Sequence, residues 1–270
     1  MTTSKPYSFP AIAVRYIRYL IRAGNGKGHG IHSPFVFSFI RDVLNDNRKY
    51  NCYGRIELIR SRLLNDQRQL VVEDLGAGAG RGGGRERSIV SIAKNAAKPP
   101  RLAKLLFRVV NYFQPSLMIE LGTSLGITTA YLASGNINGK LYTLEGAPAI
   151  AAAAKQNLDE AGVSNVEQIS GNFDDTLAPL LNRIGTVDFA YIDGNHRYEP
   201  TMRYFRQLLA SSNYNSIIVL DDIHWSKEME TAWNDIRNHA GVSCTIDLFF
   251  LGFVFFRPEF KSKQHFIIRF

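Results

Sequence analysis

Three carboxylates and two imidazoles fall where short β-branched runs stop. VDFAYI closes on Asp193, and NSIIVL closes on Asp221 and Asp222. If the two runs are neighbouring parallel strands, their ends place all three acids at one rim of a sheet. There they repel one another unless a cation sits among them. An oxygen-only set with no cysteine suits Mg²⁺, or else Mn²⁺ or Ca²⁺. The alternative is that Asp221 meets a substrate and no metal binds. His196, three residues past Asp193, is of the type that takes a proton from a hydroxyl. It could also ligate a metal, or cap the helix that Glu199-Pro200 announces. His224 is a second candidate base, and Trp225 a candidate wall of a substrate pocket.

A second group has the chemistry of nucleotide binding. The run SLMIEL ends in Glu120, and Gly122 and Gly126, with Thr123 and Ser124 between them, let the backbone turn close to a ligand. The free N–H groups of the ITTAYLA helix then point into the crevice. LYTLE ends in Glu145, 23 residues after Gly122, where one carboxylate can accept hydrogen bonds from two vicinal ribose hydroxyls. Asn172 and Phe173 follow the next strand and offer a small polar turn and an aromatic ring for adenine. A rival stretch, EDLGAGAGRGG, carries Gly78, Gly80 and Gly83 in a G-x-G-x-x-G pattern. About 20 residues on, where a dinucleotide fold needs a strand ending in an acid, the chain reads KNAAKPPRL. Residues 76–84 are therefore expected to be a loop rather than a cofactor cradle.

The elements that must hold these residues are legible in outline. Of 270 residues, 45% are hydrophobic and 21% charged, an ordinary globular mix. The most apolar stretch near the start, AIAVRYIRYLI, is broken by arginines, and no run reaches the roughly 20 apolar residues of a membrane span. Cys52 and Cys244 are far apart, and the first residues lack a secretory pattern, so the expected setting is reducing and cytoplasmic. The net charge of +8 sits at the ends: residues 1–40 hold five basic side chains and no acid, residues 257–270 four basic and one acidic. The body is balanced, so no specific nucleic-acid partner is expected.

Residues 1–113 read as a helical cap or lid region. Its segments are Pro10–Ala23, a helix capped by Ser33-Pro34, YGRIELIRSRLL, RERSIVSIAKNA, and a helix opened by Pro99-Pro100, with one strand-like run at QLVVEDL. His29 and His32 could reach a substrate, although a structural role in their Gly-rich turn competes. From 114 to 270, SLMIELG, LYTLE, NVEQIS, VDFAYID and NSIIVLD alternate with amphipathic stretches, the pattern of a doubly wound α/β sheet. SCTIDLFF and GFVFFR are too close for a crossover helix and should pair as an antiparallel hairpin.

The motifs ELGTSLGITT, LYTLE, FAYIDGNHRYE and VLDDIHWS, in this order between residues 100 and 257, resemble those of class I S-adenosylmethionine-dependent methyltransferases. The likeness is nearest to the catechol and caffeoyl-CoA O-methyltransferases and their bacterial relatives. It implies a Rossmann-like seven-stranded sheet of order 3-2-1-4-5-7-6 with strand 7 antiparallel. It also implies S-adenosylmethionine, held by Glu120, Gly122, Thr123, Ser124, Gly126, Glu145, Asn172, Phe173 and Asp193.

Such enzymes carry an Asp after strand four and an Asp-Asn pair after strand five as metal ligands. These positions fall on Asp193, Asp221 and Asp222, with Asp replacing the Asn, and Mg²⁺ is the implied ion. Where the catechol type has a Lys three residues past the first Asp, this chain has His196, which with Asp193 forms the implied catalytic pair. The Asp-Gly-Asn-His turn lacks the prolines of amino-group methyltransferases, and there is no Pro-Cys nucleophile, so oxygen on a small hydroxylated molecule is the expected acceptor. A non-catalytic cofactor-binding regulatory module remains an alternative, as does a nicotinamide-dependent oxidoreductase using residues 76–84. A homodimer is one assembly open to the chain.

Overall fold

The computed structural model describes residues 5–24, 26–72 and 85–270. The Gly-rich segment 76–84 lies outside them. In chain order the first elements are α1 (Phe9–Arg22), α2 (Pro34–Phe39) running into a π-helical turn at Ile40–Leu44, and α3 (Asn51–Leu63). β1 (Gln69–Val72), β2 (Arg85–Ser88), α4 (Ile89–Ala96) and α5 (Pro100–Phe113) follow. Next come β3 (Leu117–Leu121), α6 (Ile127–Gly135), β4 (Lys140–Glu145), α7 (Pro148–Ala161), β5 (Val166–Ser170) and α8 (Phe173–Ile184). β6 (Val187–Ile192), α9 (Tyr198–Ala210), β7 (Ser212–Asp221), α10 (Lys227–Asn238), β8 (Cys244–Asp247), β9 (Leu251–Phe255) and β10 (Gln264–Ile267) complete the order.

The helix ends obey local chemistry. Ser33 Oγ accepts from the Val36 N–H at 3.4 Å ahead of Pro34, and Ser226 Oγ accepts from Met229 at 3.2 Å. Prolines occupy the first turns of α5 and α7, and Gly162 closes α7 with φ +72°. One expectation is corrected here. RERS does not begin a helix but forms β2, paired antiparallel with β1 from Gln69–Ser88 to Val72–Arg85. Ser88 explains the switch: its Oγ accepts from Ser91 N at 3.3 Å, so the chain before it is extended and the helix starts at Ile89.

The chain divides into two compact units, residues 46–180 and residues 1–45 with 181–270. In the first, β3 pairs parallel with β4 and β4 with β5. Met118 to Leu121 are all buried, as a parallel strand covered on both faces must be. Its core joins Ile56, Ile59 and Leu63 of α3 to Phe107, Tyr131, Ile150 and Leu158. Tyr131 donates to Glu57 at 2.7 Å, and burial foremost, then this bond, pushes the phenol's pKa up.

In the second unit β6 pairs parallel with β7, β7 antiparallel with β9, and β9 antiparallel with β8. The expected hairpin is present. β10 adds a parallel partner to β8 that the short QHFI run does not announce. α1 is fastened to that end: Tyr19 donates to the Ile268 carbonyl, and Gly24 N–H to Ile267 O at 2.8 Å. No described helix is long and apolar enough to cross a membrane.

α5 and α6 meet closely at Gly135, where an added Cβ would lie 2.7 Å from Val110 side-chain atoms and 2.9 Å from the Phe107 carbonyl. Helix propensity alone would favour alanine there by about 1 kcal/mol, but overpacking outweighs it. Gly135→Ala should lower the unfolding free energy by about 1–3 kcal/mol in urea titrations. An unchanged midpoint would mean that α5 and α6 are not packed this tightly.

Candidate functional site

The turn after β3 is built from hydroxyls as much as from glycines. Glu120 is fully buried, and its Oε2 accepts from Thr129 Oγ1 at 2.5 Å and from Thr143 Oγ1 at 2.7 Å. Thr143 in turn meets Thr123 Oγ1 at 2.6 Å. The expected ligand residue Glu120 is thus engaged inside the protein, and Thr129 and Thr143 are partners that sequence spacing did not flag. Gly122 at φ +108° and Gly126 at φ +78° take conformations that suit glycine, and Ser124 between them is left-handed at φ +48°. A Cβ on Gly126 would press to 3.3 Å from Ala154 O and Leu158 Cγ.

Glu145 closes β4 and faces the same turn. Its carboxylate accepts from Ser124 N at 2.9 Å and from Ala147 N at 3.0 Å. Burial raises its pKa, and backbone donors from Ala147, Ser124 and Gly146 work against that shift. Gly122 and Thr123 donate to Leu144 O at 3.0 and 3.1 Å, so the turn is pinned to β4. Beyond β5, Gly171 at φ +136° donates to Glu145 O at 2.9 Å. Asn172 Oδ1 accepts from Asp174 N at 3.1 Å and starts α8, with Phe173 half-buried beside it. Residues 120–126, 145 and 171–173 therefore lie at the exits of three adjacent parallel strands, the place where such sheets bind ligands.

The second unit holds the chemical group. One ligand-type atom each from Asp193, His196 and Asp221 lies within 4.8 Å of the others. Asp193 leaves β6, and its Oδ2 accepts from Tyr191 at 3.1 Å while its Oδ1 stands 3.6 Å from His196 Nε2. Two successive left-handed residues, Asn195 at φ +67° and His196 at φ +30°, bring the imidazole back over Asp193. Asn195 is held by Arg197 Nε at 2.8 Å, and the Trp225 ring lies 5.5 Å from that of His196.

Asp221 is fully buried at the end of β7. Asp222 is not among the three residues grouped at this distance, and His196 is. The reason is backbone geometry. Asp222 sits at φ +52°, donating N–H to Phe250 O at 2.7 Å and accepting from Trp225 N at 2.9 Å. Asp and Asn are the non-glycine residues that tolerate this conformation best. The two carboxylates of the group suit a small divalent cation such as Mg²⁺ or Mn²⁺.

His224 is placed elsewhere. Its Nε2 is 2.8 Å from Asp247 Oδ2, its Nδ1 is 3.6 Å from Glu230, and its ring stacks on Phe249 at 5.1 Å. Asp247 also takes Trp233 Nε1 at 3.3 Å and Phe249 N at 2.8 Å. These acids come from α10 and β8, and no local pattern around His224 points to them. His29 and His32 are exposed.

Residues 119–223 match the family described as a methyltransferase domain. A catechol O-methyltransferase of Niastella koreensis is 34% identical over 127 residues, 46% of this chain and 57% of that protein. One from Mycobacterium tuberculosis is 32% identical over 139 residues, 48% of this chain and 61% of that protein. The chain thus spans less than two thirds of the curated relatives it matches. Among solved structures, an S-adenosylhomocysteine-bound methyltransferase of Podospora anserina superposes with a TM-score of 0.59 at 13% identity, over 96% of this chain and all of that one. An O-methyltransferase of Bacillus cereus in complex with S-adenosylhomocysteine gives 0.54 at 20% identity, over 82% and 97%. At such identities the likeness is one of fold, and that fold is the Rossmann-like α/β type.

The geometry separates two neighbouring aspartates by one titration. Mn²⁺ binding followed by calorimetry should be lost in Asp221→Asn and should stay within a few fold in Asp222→Asn. Equal loss in both would restore Asp222 to the ligand set.

Proposed function

We propose that the chain, whose residues 119–223 match a methyltransferase-domain family, is a class I S-adenosylmethionine-dependent methyltransferase that transfers a methyl group to an oxygen of a small hydroxylated acceptor. The observation that carries this reading is the convergence of Asp193, His196 and Asp221 within 4.8 Å. Catechols and other vicinal diols are the acceptor class of choice, because two adjacent oxygens can engage a charged group together.

In this reading Glu145 accepts from the ribose hydroxyls, and Gly122, Thr123, Ser124 and Gly126 follow the methionine moiety. Glu120 holds their turn from behind. Asn172 and Phe173 take the adenine. Trp225, beside His196, belongs to the acceptor pocket. Residues 1–113 serve as the helical region that selects the acceptor, and residues 114–270 as the cofactor domain. A cytoplasmic setting accords with Cys52 and Cys244 being free thiols.

The acceptor oxygen must lie in line with the methyl carbon, about 3–3.5 Å from it. As the new C–O bond forms, the C–S bond of the sulfonium breaks and leaves S-adenosylhomocysteine, while the hydroxyl proton passes to His196 Nε2. Asp193 stabilises the resulting imidazolium from 3.6 Å, and Trp225 shields the imidazole on one side. A divalent cation on Asp193 and Asp221 would supply Lewis acidity toward the acceptor oxygen.

Two substitutions test the assignment. His196→Asn should lower kcat by about 10²–10⁴-fold, with cofactor and Mn²⁺ affinities within a few fold. Loss of Mn²⁺ binding in that variant would make the imidazole a ligand instead of the base. Glu145→Ala should weaken S-adenosylhomocysteine binding by about 1.5–3 kcal/mol. Unchanged affinity by calorimetry would sink the ribose assignment.

A further inference from the structure

α1 is apolar on two sides. Its inner side carries Tyr16 and Tyr19, whose rings lie 5.0 and 5.4 Å from that of Phe249. Its outer side is exposed and yet equally apolar: Val14 is 47% exposed, Ile17 56% and Ile21 79%, recurring at i, i+3 and i+7, with Phe9 at 83% at the start of the helix. Large aliphatic side chains grouped this way on a surface mark an interaction face.

Charge identifies what covers it. Arg15, Arg18 and Arg22 repeat at the same i, i+3, i+7 spacing and form one edge of the apolar stripe, and residues 1–40 contain no acid. Arg15 is neutralised by Glu230 at 3.0 Å. Arg18 and Arg22 have no carboxylate partner among the described residues. Arg269 is anchored to the same helix through Leu20 O at 2.8 Å, adding a further cation at its C-terminal end.

Along the arginine edge runs a cavity of 220 Å³ that Arg15, Arg18, Arg22, His224, Glu230 and Asp247 help to line. Its two acids are already engaged, Glu230 by Arg15 and Tyr7 and Asp247 by His224. Three arginines against two carboxylates leave its lining with a net positive charge. Pairing of two copies through this face would set arginine stripes against each other, and like charges oppose that contact. A sheet of apolar chains beneath anionic phosphates complements both the aliphatic stripe and the cationic edge.

We propose that α1 is an interfacial anchor that lies flat on an anionic phospholipid surface, with Val14, Ile17 and Ile21 in the acyl boundary and Arg18 and Arg22 on headgroup phosphates. Two signals, apolar burial and cationic attraction, act together, as reversible surface binding requires. The inference rests on α1 alone and stands apart from the methyltransferase reading.

Vesicle co-sedimentation of the full chain decides it. The protein should pellet with phosphatidylcholine vesicles containing phosphatidylglycerol and remain in the supernatant with phosphatidylcholine alone. Ile17→Ser with Ile21→Ser should reduce partitioning by about tenfold or more. Arg18→Gln with Arg22→Gln should reduce it by about tenfold, and high salt should act likewise. Both pairs are exposed, so the thermal midpoint should not move, which separates loss of binding from loss of fold. Equal pelleting of the isoleucine variant, or equal binding to both vesicle types, overturns the proposal. So does a dimer in light scattering that the isoleucine variant dissolves, since a second copy would then be the occupant.

Discussion

A carboxylate taken wholly out of water is tolerated only when hydrogen bonds replace its hydration, and Glu120 imposes that condition at the centre of its unit. Its oxygen is shared between Thr129 of α6 and Thr143 of β4, and Thr143 also meets Thr123 in the turn. One buried carboxyl group therefore ties a strand, the helix that follows it, the neighbouring strand and the loop between them. The glycines of that loop supply freedom, and the threonines remove it. Glu145 repeats the device at the surface of the same turn, where its carboxylate takes the Ser124 N–H.

The chemical group in the other unit obeys a backbone constraint of a different kind. Strand exits have to redirect side chains within two or three residues, and the chain does so through left-handed residues that are not glycine. Ser124, Asn195, His196 and Asp222 all have positive φ. Such conformations cost free energy and persist where surrounding contacts hold them. The Arg197–Asn195 bond and the Asp222–Phe250 bond are such contacts. The strain lies beside the residues that carry the chemistry, and it decides which of them converge.

That also explains what could be read in advance. The five parallel strands were legible because their β-branched runs alternate with capped, amphipathic segments, and Ser33, Pro34 and Pro100 fix helix starts by local chemistry. Asp193, His196 and Asp221 were legible as strand-end residues. Their grouping without Asp222 was not, since the direction of a side chain at positive φ does not follow from strand periodicity. RERS is polar and QHFI only half apolar, both are short, and only their partners, β1 and β8, make them strands. The hydroxyls around Glu120 and the acids around His224 sit on other elements, so strand periodicity does not signal them.

The fastening of α1 to the last strand has a consequence for biosynthesis. Tyr19 bonds to Ile268 across 249 residues, so during translation the helix leaves the ribosome long before the segment that secures it. Until then the tyrosine face is as bare as the aliphatic one, and transiently exposed apolar surface of this kind is what chaperones protect. Docking of α1 becomes a late folding event, set by the slow search of a high-contact-order pairing rather than by helix formation itself.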